Sequence, residues 1–182
     1  MRAVVNLEGF GLRPTRPEQA PGRYAQWIGQ LKQGGALRDY ASRDEVAARL
    51  MKNNARLSAE RAAFLAQHWS EPDGAGRFRV AGDPAHRIVN PTLYRMDEVL
   101  ACWRNVECPV LWVQAAQTDV LRHIGADRDA VLKEIENRKT ALRNVESVLV
   151  KDAGHMLHHD QPDEVARLID DFAGGRGAIN KP

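Results

Sequence analysis

Apolar positions follow two rhythms along this chain. Residues 3–7 (AVVNL), 110–113 (VLWV) and 148–150 (VLV) are short, nearly unbroken apolar runs of the kind buried in a parallel sheet, and each is predicted to be a strand. Each run ends in turn-forming sequence: Glu8-Gly9-Phe10-Gly11, Gln114 to Asp119, and Gly154-His155. Between the first two runs the spacing becomes helical. Tyr24, Trp27, Ile28 and Leu31 form one stripe that stops at Gly34-Gly35. Ser42 with Glu45 is a capping-box signature ahead of Val46, Leu50 and Met51, and Ser58 opens a third helix through Ala62, Phe64, Leu65 and Trp69. After turns at Asp83-Pro84 and Asn90-Pro91, Met96, Val99, Leu100 and Trp103 mark a fourth. A long helix from about Asp127 to Asn144 follows the second strand on Val131, Ile135 and Leu142. Pro162 opens the last helix, with Val165, Leu168, Ile169 and Phe172 on one face.

Composition narrows the function classes. A chain of 182 residues that is 43% apolar and 27% charged can bury a real core. Its formal net charge of +2 comes from interspersed acids and bases, and the two successive helices after Ser42 and Ser58 carry no cluster of base-reading side chains, so a nucleic-acid partner is not expected. No apolar run approaches the ~20 residues of a membrane span, and there is no signal-peptide pattern; a cytoplasmic protein without a membrane partner is expected. Cys102 and Cys108 have no metal-ligand spacing and are expected to be core or half-buried thiols. His158, His159 and Asp160 could be imagined as a metal cluster, but adjacent histidines rarely face one point, so a polar loop and helix N-cap is expected and no metal or other cofactor. Arg77, Arg79, Arg87 and Arg95 read as a solvated basic face or as ion pairs; the sharper alternative puts one of them, or His86, at a substrate entrance. Trp27, Phe64, Trp69 and Tyr94 are read as core, with an apolar acyl pocket as the alternative.

His155 carries the chemistry. It lies just past the carboxyl end of a predicted strand, where loops of an α/β sheet converge on a crevice. VLVKDAGHMLHHDQPDEVARLIDDF, taken with CPVLWVQAAQTD upstream, resembles the C-terminal strands, histidine loop and final helix of the α/β-hydrolase fold family. VVNLEGFGL is similar to that family's sixth strand and its exit. The resemblance implies an α/β fold: the C-terminal part of a hydrolase sheet, about three parallel strands, with an inserted helical lid. Residues 1–11 would be strand six, 12–105 the lid, 106–174 the C-terminal core with the histidine loop, and 175–182 a flexible tail.

By the same resemblance His155 is the catalytic base, which takes a proton from a nucleophile and returns it to the leaving group. The acid is expected after strand seven. Counting on from Pro109 arrives at Thr118, one short of Asp119, which is the first choice. Members similar to haloalkane dehalogenases carry the acid after strand six, where Glu8 stands as the alternative. Turn or helix-cap roles for Asp119 and a surface carboxylate for Glu8 are the structural readings beside these.

The family's nucleophile sits in a G-x-S-x-G turn ahead of the acid and histidine. Ser42, Ser58, Ser70 and Ser147 are not in such a turn, and no glycine-flanked Asp or Cys replaces them. The expectation is a truncated, esterase-like hydrolase acting on a small ester-like substrate in its full-length form and inactive alone, with self-association through the first strand's unpaired edge. The alternatives are a non-catalytic binding protein derived from the fold and one half of a split enzyme. Esterase, epoxide hydrolase and dehalogenase are separated by the nucleophile, which this sequence does not supply.

Overall fold

The computed structural model describes residues 2–125 and 127–175. In chain order the elements are β1 (Val4–Leu7), α1 (Ala20–Gln33), β2 (Asp39–Tyr40), α2 (Arg43–Asn53), α3 (Ala59–Trp69), β3 (Ser70–Pro72), β4 (Phe78–Val80), α4 (Met96–Arg104), β5 (Val110–Ala115), α5 (Arg128–Lys139), β6 (Val145–Val150), α6 (Leu157–Asp160) and α7 (Pro162–Ala173). They group into two compact units: one joins the start of the chain through Pro14 to everything from Tyr94 onward, and the other is Thr15–Leu93.

The first unit is a parallel sheet in the order β1-β5-β6, with Val4 opposite Val110 and Val110 opposite Val145. The apolar run of β5 explains its central place. Leu111, Val113 and Ala115 face one side and Val110 and Trp112 the other, and all five are buried. On the first side they meet Leu157, Val165 and Leu168, which brings α7 against the sheet through its apolar stripe. On the second side they meet Phe10, Val131 and Ile135, with Trp103 of α4 edge-on to Trp112 at 5.6 Å between ring centroids. Each face is covered, as a parallel sheet requires. β1 is paired along one edge only, among the described residues, and a groove of about 250 Å³ runs beside it between Val4, Val5, Trp103, Val106 and Trp112.

The second unit packs Tyr40, Val46, Ala47, Leu57, Ala62 and Ala66 into its own core. Its helices begin where the serines place them: Ser42 accepts from Glu45 N–H and Ser58 from Arg61 N–H, each at 3.2 Å. A purely helical stretch was expected here. The unit also holds a small antiparallel sheet in the order β2-β4-β3, whose strands of two and three residues are too short to show a period of two.

Two boundaries differ from expectation. α5 ends at Lys139, not near Asn144, because the chain turns at Thr140 and sends Leu142 into the core as part of a turn. α4, expected within the lid segment, groups with the sheet unit, where Trp103 packs on Trp112. Of the flexible tail expected over 175–182, all but Gly175 lies outside the described residues. No helix among the described residues is long and apolar enough to cross a membrane.

Candidate active site

Three strand ends of the first unit deliver the site. β1 ends at Leu7 and hands over Glu8, whose N–H still bonds to Val113 at 3.0 Å while its backbone turns into the left-handed region at φ 58°. β6 ends at Val150, and Asp152 makes a matching left-handed turn at φ 51° before Gly154 and His155. Such a conformation costs a non-glycine residue on the order of 1–2 kcal/mol and persists where surrounding contacts enforce it. β5 ends between them at Ala115.

The Glu8 side chain is fully buried. One carboxylate oxygen, Oε1, accepts from the Ala115 N–H at 2.6 Å, and the other, Oε2, lies 3.4 Å from His155 Nδ1. Burial pushes the Glu8 carboxyl above its ordinary 4.5, outweighing the hydrogen-bonding neighbours Thr118, Ala115 and His155, which pull it down. The Thr118 hydroxyl is itself buried beside the carboxylate and, as placed, makes no hydrogen bond of good geometry. His155 has 43% of its side chain exposed. A carboxylate accepting from Nδ1–H fixes the ring's tautomer and leaves Nε2 as the basic nitrogen, the arrangement that general-base chemistry needs. At 3.4 Å the contact is long for a hydrogen bond.

The loop after β5 separates the two acids weighed from the sequence. Thr118, at the position reached by counting from Pro109, turns inward beside Glu8 and is 5% exposed. Asp119 turns outward, with 65% of its side chain exposed, and pairs with Arg122 at 3.0 Å. The structure therefore brings His155 together with Glu8 and leaves Asp119 on the surface.

Asp160 holds the histidine loop in a way the sequence did not reveal. Instead of forming a loop and N-cap with its neighbours, it ends the one-turn α6 and accepts the buried Gly154 N–H on Oδ2 at 2.8 Å. His158 and His159 lie in the same turn with their rings edge-on at 4.2 Å. Burial lowers both imidazoles below their ordinary 6.5, helped by the charge of His155 on His158 and of His158 on His159.

The serines are each engaged elsewhere. Ser42 and Ser58 cap helices, the Ser70 hydroxyl donates to Ala66 O at 2.6 Å, and Ser147 accepts from Lys139 Nζ at 3.1 Å. Cys102 is exposed, against the expectation of a core or half-buried thiol, because it sits on the outward face of α4; Cys108 is half-buried. Phe64 and Trp69 are 62% and 40% exposed and Trp27 is half-buried, so these aromatics do not form the second unit's core; Tyr94 belongs to the sheet unit, beside Gly11. Arg95 pairs with Asp97 at 3.3 Å, and Arg79 lines a cavity of about 680 Å³ with Asp39, Glu71 and Asp83, all within the second unit.

Known structures share this architecture. A hypothetical protein from Pseudomonas aeruginosa PAO1 superposes with a TM-score of 0.70 at 24% identity over 94% of this chain and 58% of its own. The thioesterase domain from the curacin biosynthetic pathway gives 0.71 at 20% identity, over 93% and 57%. E-2-(acetamidomethylene)succinate hydrolase gives 0.60 at 20% identity, over 96% and 58%. The chain thus spans less than three fifths of each of these proteins, and at such identities the likeness is one of fold. No curated protein matches. The model of the alpha/beta hydrolase family matches residues 3–168, nearly the whole chain, and the chain belongs to that family.

Proposed function

We propose that this chain carries the acid and the base of a hydrolase acting on an ester or thioester, with Glu8 as the acid and His155 as the base, and that the nucleophile comes from a part of the fold outside these residues. The observation that carries this reading is the buried Glu8 carboxylate 3.4 Å from His155 Nδ1 at the carboxyl ends of parallel strands. Engagement of all four serines in other bonds supports an external nucleophile. A thioesterase domain and a succinate-derivative hydrolase among the structural neighbours support carbonyl-directed hydrolysis. In this scheme His155 Nε2 takes the nucleophile's proton as it attacks the carbonyl, Glu8 stabilises the imidazolium, and the proton passes to the leaving group as the acyl-enzyme forms. The Thr15–Leu93 unit is the lid of such an enzyme.

The test is hydrolysis of short-chain nitrophenyl esters and acyl thioesters, by the chain alone and with the sequence encoded in frame upstream supplied in cis or in trans. The chain alone shows no rate above background, and the assembled form shows one that His155→Ala abolishes. Ester hydrolysis by the 182-residue chain alone, lost on His155→Ala, would overturn the external nucleophile.

A second reading, a partner-binding protein without catalysis, is favoured by the one-sided pairing of β1 and the groove beside it. Strand edges of this kind pair with another chain. A sharp monomer on size exclusion with a cooperative melt counts against it.

A further inference from the structure

We propose that Arg138 is a positioning residue for the acid–base pair, its guanidinium gripping the loop that sets the Glu8 carboxylate against His155. The inference rests on the reading of Glu8 and His155 given above and adds a residue to it.

Arg138 stands in the last turn of α5 with its side chain 3% exposed. Nη1 donates to the carbonyl of Phe10 at 3.0 Å and of Leu12 at 3.3 Å, and Nε donates to Glu134 Oε1 at 3.0 Å. A buried cation is costly unless its donors are satisfied, and an apolar residue would have continued the Val131 and Ile135 stripe at less expense. The two carbonyls it serves belong to the segment that leaves the sheet after the Glu8 N–H makes its bond to Val113. Beyond that bond the loop has no strand to lie against, yet it must keep Glu8 at φ 58°, where an unaided chain would not rest.

The loop is held from both sides of this strained residue. On the sheet side, the Asn6 amide accepts from Gly9 N–H at 2.9 Å and donates to Gly9 O at 3.1 Å. A Cβ at Gly9 would displace Asn6 Oδ1 and so break these two bonds. On the far side Phe10 is buried against Trp112, with ring centroids 6.3 Å apart, and presents its carbonyl to Arg138. Gly11, at φ 79°, completes the fit: a Cβ there would lie 2.5 Å from the Tyr94 hydroxyl and 3.4 Å from Arg138 Nη1. Nη1 alone serves the two carbonyls of the loop while Nε is held by Glu134, so the rigid guanidinium fixes the loop to α5 from a pre-set direction, which a flexible ammonium does less well. A carboxylate 3.4 Å from its histidine has little tolerance for movement, because loosening the loop by about 1 Å removes the contact.

The readout is the tautomer of the neutral His155 ring in the full-length protein, from its ring nitrogen-15 shifts at alkaline pH, assigned by His155→Gln. Glu8 holds the proton on Nδ1, and Glu8→Ala gives the value without the pair. The expected result is that Arg138→Met moves the Nδ1–H share at least half of the way to the Glu8→Ala value, and that Arg138→Met adds nothing in the Glu8→Ala background. Arg138→Lys, which keeps the charge beside Glu134, falls between, and it decides the matter if the Met variant does not fold. An unchanged tautomer in the folded Arg138 variant overturns the inference while leaving the pair intact. So does an Arg138 effect that persists in the Glu8→Ala background, since it would then act on the fold and not through Glu8. If Glu8→Ala itself leaves the tautomer unchanged, the pair fails and the reading beneath the inference fails with it.

Discussion

Removing the Asp160 carboxylate should loosen the histidine loop by an amount the structure sets. Gly154 and Asp160 are both buried, and the 2.8 Å bond between the Gly154 N–H and Oδ2 ties the loop before His155 to α6. A hydrogen bond to a charged acceptor contributes about 1.5–3 kcal/mol, and its loss strands a buried donor. Asp160→Ala should therefore cost about 1.5–3 kcal/mol, a fall in Tm of about 4–10 °C for a chain of this size. Asp160→Asn, which keeps an oxygen for the same N–H, should cost about half as much. Because the chain has two compact units, unfolding is best followed by near-ultraviolet circular dichroism from the Trp103–Trp112 pair, which reports on the sheet unit. Local opening is read from hydrogen exchange at the Gly154 amide, which should accelerate about 10- to 150-fold in the Ala variant. An Ala variant within about 0.5 kcal/mol of the parent, with Gly154 exchange unchanged, would refute the reasoning.

Three further outcomes follow from the same geometry. Because burial raises the folded-state pKa of Glu8, its stabilising contribution is complete below its ordinary 4.5 and is lost as pH rises through the raised value. Glu8→Gln should thus gain stability over the parent as pH rises above the ordinary 4.5 and through the raised value, seen as a widening gap in urea midpoints; a narrowing gap contradicts the sign. Leu111→Ala, on the central strand with its side chain wholly buried, should cost about 2–5 kcal/mol in denaturant unfolding, and a cost under about 1 kcal/mol would show that the sheet core is not packed as described. Asp119→Asn breaks an exposed pair with Arg122 and should change the melting free energy by less than about 0.5 kcal/mol; a larger loss would mean the side chain has a buried partner.

Much of the fold was legible because its signals are local. The apolar runs marked β1, β5 and β6, although β5 continues two residues past VLWV and β6 begins three residues before VLV, and Ser42 and Ser58 cap the helices they precede. The sheet of the second unit was not legible, since β4 has only three residues and its pairing with β2 and β3 is decided by contacts distant in sequence. At the site, the position of His155 after a strand could be read, but which carboxylate lies beside it could not. Glu8 and Asp119 both follow strands; what separates them is the direction of the loop after Ala115, which turns Thr118 inward and Asp119 out. Asn6 two residues before Glu8 and Gly9 one after it were the available sign, because an amide beside a glycine suggests a pinned turn. Arg138 acts across more than a hundred residues, on Phe10 and Leu12, and leaves no such mark; Asp160 acts only six residues away, but through a turn that no local pattern announces.

The most direct test of the proposed acid–base pair is kcat/KM for ester hydrolysis by this chain joined to the sequence encoded in frame upstream, carrying Glu8→Gln or Asp119→Asn. The account predicts a fall of about two to four orders of magnitude for Glu8→Gln, as when a triad histidine loses its orienting carboxylate, and a change within about twofold for Asp119→Asn. The reverse pattern, with Asp119→Asn crippling the enzyme and Glu8→Gln leaving it intact, would contradict it.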